Sequence, residues 1–331
     1  MSANNPISST VPFDKNGEFH GFLSLPSSRE DSAWGLTQIP ISVFRNGIGP
    51  TALLTGANHG DEYEGPIALQ SLACELSADA IQGCVIIVPY MNYPAFRAAS
   101  RLSPLDGLNM NRIFPGKPNG TATEQIADFF LNELVPLADI VLDFHSGGKS
   151  LDFVPFAAAH LLEDKAQEAA CIAAMEAFGA PYSMTLQEID AAGMYDTAVE
   201  EAGKIFVSTE LGGGGSATAR SAQIAKQGAK NVLKHAGILS GEPIAAETIR
   251  IDTTTGDCFH FCPRDGMLEM VVDLGDTVVA GENVARIWPL DRSGRAPEIV
   301  SSTHTGTLVA RHFPGLIKTG DCLAVVASIV G

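Results

Sequence analysis

The chain has 331 residues, a length that allows two domains or one large and one small domain. Of these residues 45% are hydrophobic and 18% charged, a composition typical of a globular protein and not of a disordered chain. Lys and Arg number 21 against 38 Asp and Glu, so the formal net charge is −17 and the sequence lacks the basic footprint that nucleic-acid binding needs. The acidity is spread along the chain, where it serves either solubility, for example in a salty cytoplasm, or the attraction of cationic ligands.

The N-terminal segment has neither the basic nor the apolar stretch of a signal peptide. No apolar run approaches the roughly 18 residues that a membrane-spanning helix requires. Six cysteines are too few for a disulfide scaffold in a chain of this length. We therefore expect a cytoplasmic protein that binds neither membrane nor nucleic acid. Its expected partners are a small molecule and, in a homo-oligomer, further copies of the same chain.

Strands and helices alternate through most of the sequence. Short apolar runs rich in β-branched residues predict strands at 38–45, 51–57, 84–90, 138–144 and 204–209. Helical periodicity and capping residues predict helices at 65–76, 122–136, 163–178 and 217–236. This order predicts an α/β domain over residues 1–245, with a mixed sheet flanked by helices and an active site at the ends of the strands.

The pattern changes after the last of these helices. Residues 238–249 have the composition of a linker, and short strands separated by turn residues follow it. These strands are predicted at 267–273, 277–287, 296–301, 305–311 and 321–329. Residues 246–331 are therefore predicted to form a small all-β domain, a flattened barrel or sandwich of two similar halves, which either shapes the active-site entrance or drives oligomerisation.

Two cysteines and a histidine alternate in this second domain, at Cys258, His260 and Cys262. A single pair of cysteines with no second pair nearby is weak evidence for a metal site. The intervening Phe259 and Phe261 give the alternation of a strand. A strand is the preferred interpretation of this segment.

The most informative polar residues follow two of the predicted buried strands. His59 and Glu62 stand three apart after one strand, and His145 lies at the end of another, two residues after Asp143. Zinc accepts imidazole nitrogen and carboxylate oxygen, and a catalytic zinc takes three protein ligands plus water. His59, Glu62 and His145 are therefore candidate metal ligands, with Asp143 orienting an imidazole. A purely structural role for the His-x-x-Glu pair stays open.

A third predicted strand is followed by Glu210 and by four glycines, Gly212–Gly215. Glu210 is the candidate general base and acid, unless it caps a helix or lies in solvent. The glycines allow either a close backbone approach or a hinge, and they do not match the pattern of a phosphate-binding loop.

A long loop between the strands carries Arg101, Asn111 and Arg112. Loops of this length are usually functional or disordered. Arginine side chains bind carboxylates and stabilise oxyanions, so the loop is a candidate substrate-binding element. A surface loop held by salt bridges is the alternative.

Together, these motifs resemble the succinylglutamate desuccinylase/aspartoacylase family, a branch of the zinc carboxypeptidase-like fold. The resemblance covers residues 40–240. Its elements occur in the family's order: His59-x-x-Glu62, Asn111-Arg112-x-Phe114-Pro115-Gly116, Asp143-x-His145 and Glu210-Leu211-Gly212. The segment Gly193–Asp196 and the glycine run are most similar to the branch that deacetylates N-α-acetyl-L-2,4-diaminobutyrate in ectoine breakdown. The β domain resembles the lipoyl/biotinyl-type domain of that branch, and without a lysine in its turn at 303–306 we expect no attached cofactor.

The resemblance implies a zinc-dependent amide hydrolase with one Zn²⁺ per chain. The ligands that it implies are His59, Glu62 and His145. It assigns the proton transfers to Glu210, polarisation of the scissile carbonyl to Arg101, and the substrate α-carboxylate to Asn111 and Arg112. The family's Asp-Leu-Asn-Arg begins with Asn109 in this sequence, and the spacing from Arg101 to Asn111 is longer than in aspartoacylases.

The charge of the predicted pocket indicates the substrate. The second half of the catalytic domain contains a single Arg, Arg220, whereas Glu188, Asp190 and Asp196 lie near Tyr195 in the sequence. An acidic pocket with Tyr195 and Asp196 suits the ammonium group of diaminobutyrate, unless Asp196 is a solvated loop acid. The open alternatives are a succinylglutamate desuccinylase or aspartoacylase-type deacylase, a metallocarboxypeptidase acting on short peptides, and a metal-free binding protein.

Overall fold

The computed structural model of the protein describes residues 5–30, 32–186, 191–254 and 256–330. The strands up to residue 210 are β1 (Ser8–Ser9), β2 (Gly17–Arg29), β3 (Ser32–Asn46), β4 (Thr51–Gly56), β5 (Gly83–Val88), β6 (Ile140–His145), β7 (Leu151–Phe153), β8 (Phe156–His160), β9 (Tyr182–Leu186) and β10 (Ile205–Glu210). The α-helices are α1 (Glu64–Glu75), α2 (Tyr93–Arg97), α3 (Ala122–Phe129), α4 (Lys165–Phe178), α5 (Tyr195–Glu201) and α6 (Ala219–His235). The later strands are β11 (Ile249–Asp252), β12 (Phe259–Phe261), β13 (Gly266–Met270), β14 (Thr277–Val278), β15 (Asn283–Trp288), β16 (Glu298–Ser301), β17 (Gly306–His312), β18 (Leu316–Ile317) and β19 (Cys322–Val330). Within these described ranges, no helix combines the length and the apolar composition needed to cross a bilayer.

Most of the strands belong to one mixed sheet, in the order β1-β2-β3-β5-β4-β6-β10-β8-β9-β11-β19-β17-β14. In its centre, β4, β6 and β10 are parallel neighbours, with Thr55 opposite Asp143 and His145 opposite Glu210. Their carboxyl ends therefore meet at the same edge of the sheet. The predicted α/β class is confirmed.

The central strands are buried on both faces. Leu54 and Leu142 pack against the helices α1, α4 and α6, whereas their neighbours Leu53 and Val141 pack against the N-terminal strands and α3. Successive side chains of a strand point to opposite faces, so a strand covered on both sides is a continuous apolar run. This is the pattern that predicted these strands from the sequence.

The strand predicted at 38–45 is the second half of β3, whereas its first half, its hairpin partner β2 and the strands β7, β8 and β9 were not predicted. The hairpin is antiparallel, with Gly17 opposite Arg45 at one end and Arg29 opposite Ser32 at the other. Its sequence is interrupted by Gly and Pro, which weaken a strand pattern, and β8 is mostly alanine, which has low strand propensity. These segments become strands because they pair with neighbouring strands, and local sequence does not reveal such pairing.

The helix predicted at 122–136 is shorter in the structure. α3 ends at Phe129, and a π-helical turn (Phe130–Leu134) and a 3₁₀ turn (Val135–Leu137) follow it. Pro136 has no N–H to donate to the preceding turn and its ring crowds that carbonyl, so an α-helix does not continue through it. Similarly, a turn containing Gly281, with φ of +91°, divides the strand predicted at 277–287 into β14 and β15.

The C-terminal region consists of two facing layers of strands. The strands β16-β15-β13-β18 form an antiparallel sheet of their own, and its Ile287 belongs to the same buried cluster as Leu308 and Val326 of the main sheet. The region also continues the main sheet, because β11 pairs with β9 and β19, and β17 pairs with β7. The β structure is confirmed, while the division at 245/246 and the lipoyl/biotinyl-type barrel stay predictions.

Candidate active site

The loop after β4 carries His59 and Glu62 into the interior, where they are 3% and 2% exposed. Between them, Gly60 packs against the backbone of Ala95 and Phe96, and a Cβ atom at this position would lie 2.0 Å from the carbonyl carbon of Ala95. Any side chain at position 60 would therefore push the loop away from α2. Glycine permits the close approach that aims His59 and Glu62 at one point.

The three candidate metal ligands converge at the edge of the sheet. His59 Nδ1 lies 2.8 Å from Glu62 Oε1, and His145 Nδ1 lies 3.1 Å from Glu62 Oε2. Donor atoms of the three residues all lie within 4.8 Å of one another. Burial raises the pKa of Glu62, but the two histidines outweigh it and lower this pKa to about 2. Glu62 is therefore ionised at neutral pH.

The far nitrogen of each imidazole is held by an oxygen atom. His145 Nε2 donates to Asp143 Oδ2 at 2.8 Å, and His59 Nε2 donates to Asn109 Oδ1 at 3.1 Å. The Thr55 hydroxyl donates to the other oxygen of Asp143 at 2.6 Å. Because ionised carboxylate and amide oxygens only accept hydrogen bonds, each Nε2 carries a proton. Each Nδ1 faces an oxygen of Glu62, and although burial lowers the pKa of His145, the carboxylates of Asp143 and Glu62 hold this pKa well above its usual value. A cation bound between Nδ1 and Glu62 would take the place of the Nδ1 proton.

This arrangement fits a divalent cation. Two neutral imidazoles and one carboxylate are the donor set of several catalytic zinc sites. Ligand histidines usually donate their second N–H to an oxygen acceptor, as both do in this site. A donor set with two nitrogens suits zinc better than magnesium or calcium, which prefer oxygen ligands.

Glu210 ends β10 directly beside His145. Its Oε2 is buried and has no hydrogen-bond partner among the described residues. Burial raises the pKa of Glu210 to about 8, and the negative charge of Glu62 adds to the effect. The alternative role as a helix cap is wrong, since Thr218 caps the following helix α6.

The glycines after Glu210 lie against the backbone of β7. Gly214 N donates to Leu151 O at 3.0 Å, and Phe153 N donates to Gly212 O at 3.1 Å. At Gly213, with φ of +155°, a Cβ atom would lie 2.0 Å from Leu151 O. Of the two interpretations of the glycine run, the structure shows the close backbone approach, which fixes the chain just beyond Glu210.

A cavity of about 410 Å³ opens over these residues. Its lining includes four polar residues that the sequence predicts to act on the substrate, namely Arg101, Asn111, Arg112 and Asp196. Part of its lining is apolar and comes from the C-terminal region, through Phe259, Val309, Ala310 and Val325. These four could not be identified from the sequence, because they resemble ordinary core residues of strands.

Hydrogen bonds fix the amide of Asn111. Its Oδ1 accepts from Tyr195 N at 2.9 Å and from Asn58 Nδ2 at 3.3 Å, which leaves its Nδ2 as a donor. The neighbouring Arg112 is exposed and donates from Nη1 to the Asn111 carbonyl at 2.6 Å. Arg101 is half-exposed, with Nη1 4.0 Å from Glu62 Oε1. The loop thus brings two guanidinium groups to the cavity.

Tyr195 and Asp196 are adjacent in the chain, but only Asp196 lines the cavity. The Tyr195 ring is fully buried, packs against Phe114 and Phe206 and is not part of the cavity lining, so the proposed contact of this ring with substrate is not supported. Its backbone N–H acts instead by orienting Asn111. Asp196 does line the cavity, whereas residues 188 and 190, also proposed for the acidic pocket, lie outside the described residues.

Comparisons with known proteins support an enzyme that hydrolyses amides. The sequence model of the succinylglutamate desuccinylase/aspartoacylase catalytic domain matches residues 48–236. A relative from Halomonas elongata, named N-alpha-acetyl-L-2,4-diaminobutyric acid deacetylase, is 50% identical over 328 residues, which cover 98% of this chain and 96% of the relative. The similarity therefore includes the C-terminal region as well as the residues that the family model matches.

Solved structures show the same overall similarity. The product-bound ectoine utilization protein EutE (DoeB) from Ruegeria pomeroyi is 62% identical, with a TM-score of 0.96, over 98% of this chain and 99% of that chain. A structure named a succinylglutamate desuccinylase, from Silicibacter sp. TM1040, is 59% identical, with a TM-score of 0.96 and the same coverage. Two structures that are about equally similar to this chain are thus named for different functions.

Proposed function

Because the chain belongs to the succinylglutamate desuccinylase/aspartoacylase family, we propose that it removes the acetyl group from N-α-acetyl-L-2,4-diaminobutyrate and releases diaminobutyrate and acetate. Members of this family hydrolyse amides, and the chain is an enzyme of that class. Relatives that match 98% of the chain include one named for this deacetylation and one named for ectoine utilization. We place the reaction in the cytoplasmic breakdown of ectoine.

The observation that carries the proposal is a buried carboxyl beside a ligand cluster. Glu210 Oε2 has no hydrogen-bond partner among the described residues, although it adjoins His145 in the sheet. An unpartnered buried polar atom costs free energy, and active sites retain such groups where a reacting atom will supply the missing partner. The attacking water would supply it in this enzyme.

His59, Glu62 and His145 would hold a zinc ion, as their converging donor atoms suggest. When bound, zinc supplies Lewis acidity, which polarises the acetyl carbonyl and makes the attacking water more acidic. The task of the protein is to keep the three donors in place. Asp143 and Asn109 do this by holding the two imidazole rings.

Glu210 moves the proton. Its pKa, raised to about 8 by burial and by the charge of Glu62, lies close to the pH of a cytoplasmic reaction, where a group both accepts and releases protons effectively. Glu210 would take a proton from the attacking water and then give it to the departing α-amine. The glycine loop keeps its backbone in position during both transfers.

Three residues of the long loop suit the rest of the amino acid. The Arg101 guanidinium, close to Glu62, would stabilise the negative charge that develops on the acetyl oxygen. Asn111 Nδ2 and the Arg112 guanidinium would bind the α-carboxylate by charge-assisted hydrogen bonds. Both are held in the cavity lining by backbone contacts.

Asp196 is the proposed partner of the substrate ammonium group. It is 8% exposed in the cavity lining, and its Oδ1 accepts from Thr197 N at 2.6 Å, which leaves Oδ2 for a ligand. The described lining contains two arginines, Arg101 and Arg112. With these assigned to the carbonyl and the α-carboxylate, no further guanidinium in the described lining is left for the extra carboxylates of succinylglutamate.

A panel of substrates tests the proposal. Amine release is measured from N-α-acetyl-diaminobutyrate, N-acetylaspartate, N-succinylglutamate and a dipeptide, with zinc-loaded and chelator-treated protein side by side. We expect zinc-dependent turnover confined to the first substrate. Turnover of an acidic substrate would favour the alternative deacylase, as the name of one similar structure suggests, and turnover of the dipeptide would favour a carboxypeptidase. Failure to bind zinc would favour a binding protein.

A further inference from the structure

A second cluster of metal-ligating side chains lies in the C-terminal region, outside the cavity lining. Donor atoms of Asp257, Cys258 and His304 all lie within 4.8 Å of one another. The cluster joins two segments distant in sequence, the turn before β12 and the turn between β16 and β17. Neither the family match, which ends at residue 236, nor the catalytic proposal involves it.

The imidazole of His304 has the orientation of a metal ligand. Its Nε2 lies 2.7 Å from the Ser328 hydroxyl, and its Nδ1 lies 3.4 Å from Asp257 Oδ1. A hydroxyl can accept the Nε2 proton, and in that tautomer Nδ1 presents its lone pair to the cluster. Ligand histidines are typically fixed in this way by a hydrogen bond from the second nitrogen.

We propose that Asp257, Cys258 and His304 form a second metal site, which takes a borderline-soft divalent cation such as Zn²⁺, with water completing a tetrahedral set. Thiolate, imidazole and carboxylate together are typical zinc ligands, whereas calcium and magnesium disfavour sulfur and nitrogen donors. Cys258 is buried, while the Asp257 side chain is about half-exposed. A cation therefore has a route from solvent and a sheltered sulfur to bind.

The site would brace one side of the active-site cavity. Thr253 and Phe259 line the cavity and lie on either side of Asp257 and Cys258 in the sequence. His304 lies just before β17, which contributes Val309 and Ala310 to the same lining. A hydrogen bond from the Thr303 hydroxyl to the Asp257 carbonyl, at 2.9 Å, already joins the two segments. A shared cation would add a stronger cross-link between them and so fix the apolar part of the lining.

Cobalt binding tests the site without reference to activity. The catalytic cluster contains no sulfur, so thiolate-to-Co²⁺ charge-transfer absorption in the near ultraviolet reports on the second site alone. We expect this band in the wild type and in His145→Ala, and its loss in Cys258→Ser. Cys262→Ser, which also replaces a buried cysteine of this region, is the matched control and should keep the band. Absence of the band in the wild type, or its persistence in Cys258→Ser, would overturn the proposal.

Zinc stoichiometry gives a second test that does not depend on replacing a buried residue. We expect two zinc ions per chain in the wild type and one each in His304→Gln and His145→Ala, with affinity at the second site at least about tenfold weaker in His304→Gln. A single ion in the wild type that His304→Gln leaves in place would refute the second site. A single ion that His145→Ala leaves in place would instead refute the catalytic site, so the two failures are distinguishable.

Discussion

Two parts of the same cavity differ in what holds their side chains. The floor consists of His59, Glu62, His145 and Glu210, the residues of the proposed chemistry. The C-terminal wall consists of Phe259, Val309, Ala310 and Val325. In the floor, each imidazole has a polar partner behind it and the strand register sets the spacing, whereas the wall is placed by packing between strands. The floor is therefore suited to chemistry and the wall to shape.

The two carboxylates of the floor differ in their pKa values although both are buried. Glu62 and Glu210 are neighbouring buried carboxylates, yet burial and neighbours bring their pKa values to about 2 and about 8. Two histidines face Glu62 directly, whereas Glu210 Oε2 has no hydrogen-bond partner in the described part of the chain. This divergence of pKa values suits the proposed roles of Glu62 as a metal ligand and of Glu210 as a proton carrier.

The largest expected effect is at Glu210. Glu210→Gln keeps the shape of the side chain but removes its proton transfer, so we expect kcat to fall by about 10²–10⁴ with unchanged zinc content. Steady-state kinetics and metal analysis check this. Glu201→Gln, at an exposed position on α5, is the control, and activity within a few fold of the wild type in Glu210→Gln would refute the assignment.

The next effect concerns the support behind the floor. Asp143→Asn replaces the carboxylate that orients His145, so we expect zinc affinity to weaken by about 10–100-fold. A competition titration with a chromophoric chelator measures it. Asp139→Asn is the control. Asp139 directly precedes β6 and accepts a hydrogen bond from Thr51 N, so its replacement should leave the zinc affinity unchanged. Equal affinities of all three proteins would count against the orienting role.

A smaller effect is expected where the cavity recognises the substrate side chain. Asp196→Asn should raise KM for N-α-acetyl-diaminobutyrate by about tenfold, because a charge-assisted hydrogen bond contributes roughly 1.5–3 kcal/mol. The uncharged analogue N-α-acetyl-2-aminobutyrate is the matched control, since its KM should not change. A parallel rise for both substrates would show that Asp196 acts on the structure of the loop instead.

The wall should respond through binding alone. Phe259→Ala removes an exposed ring from the cavity lining, so we expect KM to rise about fivefold, equivalent to about 1 kcal/mol, with kcat nearly unchanged. Phe261→Ala, on the same strand but outside the lining, is the control. A fall in kcat as large as that of a floor variant would remove the distinction between floor and wall.

The smallest effect is on the pH dependence of stability. The folded state raises the pKa of Glu210 from 4.5 to about 8, so its stabilising contribution is complete below pH 4.5 and is lost as the pH rises toward 8. In metal-free protein, Glu210→Gln should therefore gain Tm relative to the wild type over this window. Thermal melts at several pH values measure the difference, and a constant difference would contradict the raised pKa.

Local sequence was sufficient for much of the floor. His59, Glu62, His145 and Glu210 each lie next to a buried strand, and such strands are visible as continuous apolar runs. The role of Asn109 was harder to predict, since Asn109 stands where the family has Asp and its hydrogen-bond partner is distant in the sequence. Its contact with His59 spans 50 residues.

The sequence by itself determined the α/β class, the candidate ligands and the carboxylate beside them, because these depend on residue type and on adjacency along the chain. The tertiary structure decided which imidazole nitrogen faces Glu62, how far the pKa of Glu210 rises, and which apolar residues close the cavity. It also placed the ring of His304 beside Cys258, although His260 is much closer to Cys258 in the sequence. These outcomes depend on burial and on pairing between distant strands, and hydrophobic periodicity along the chain records neither.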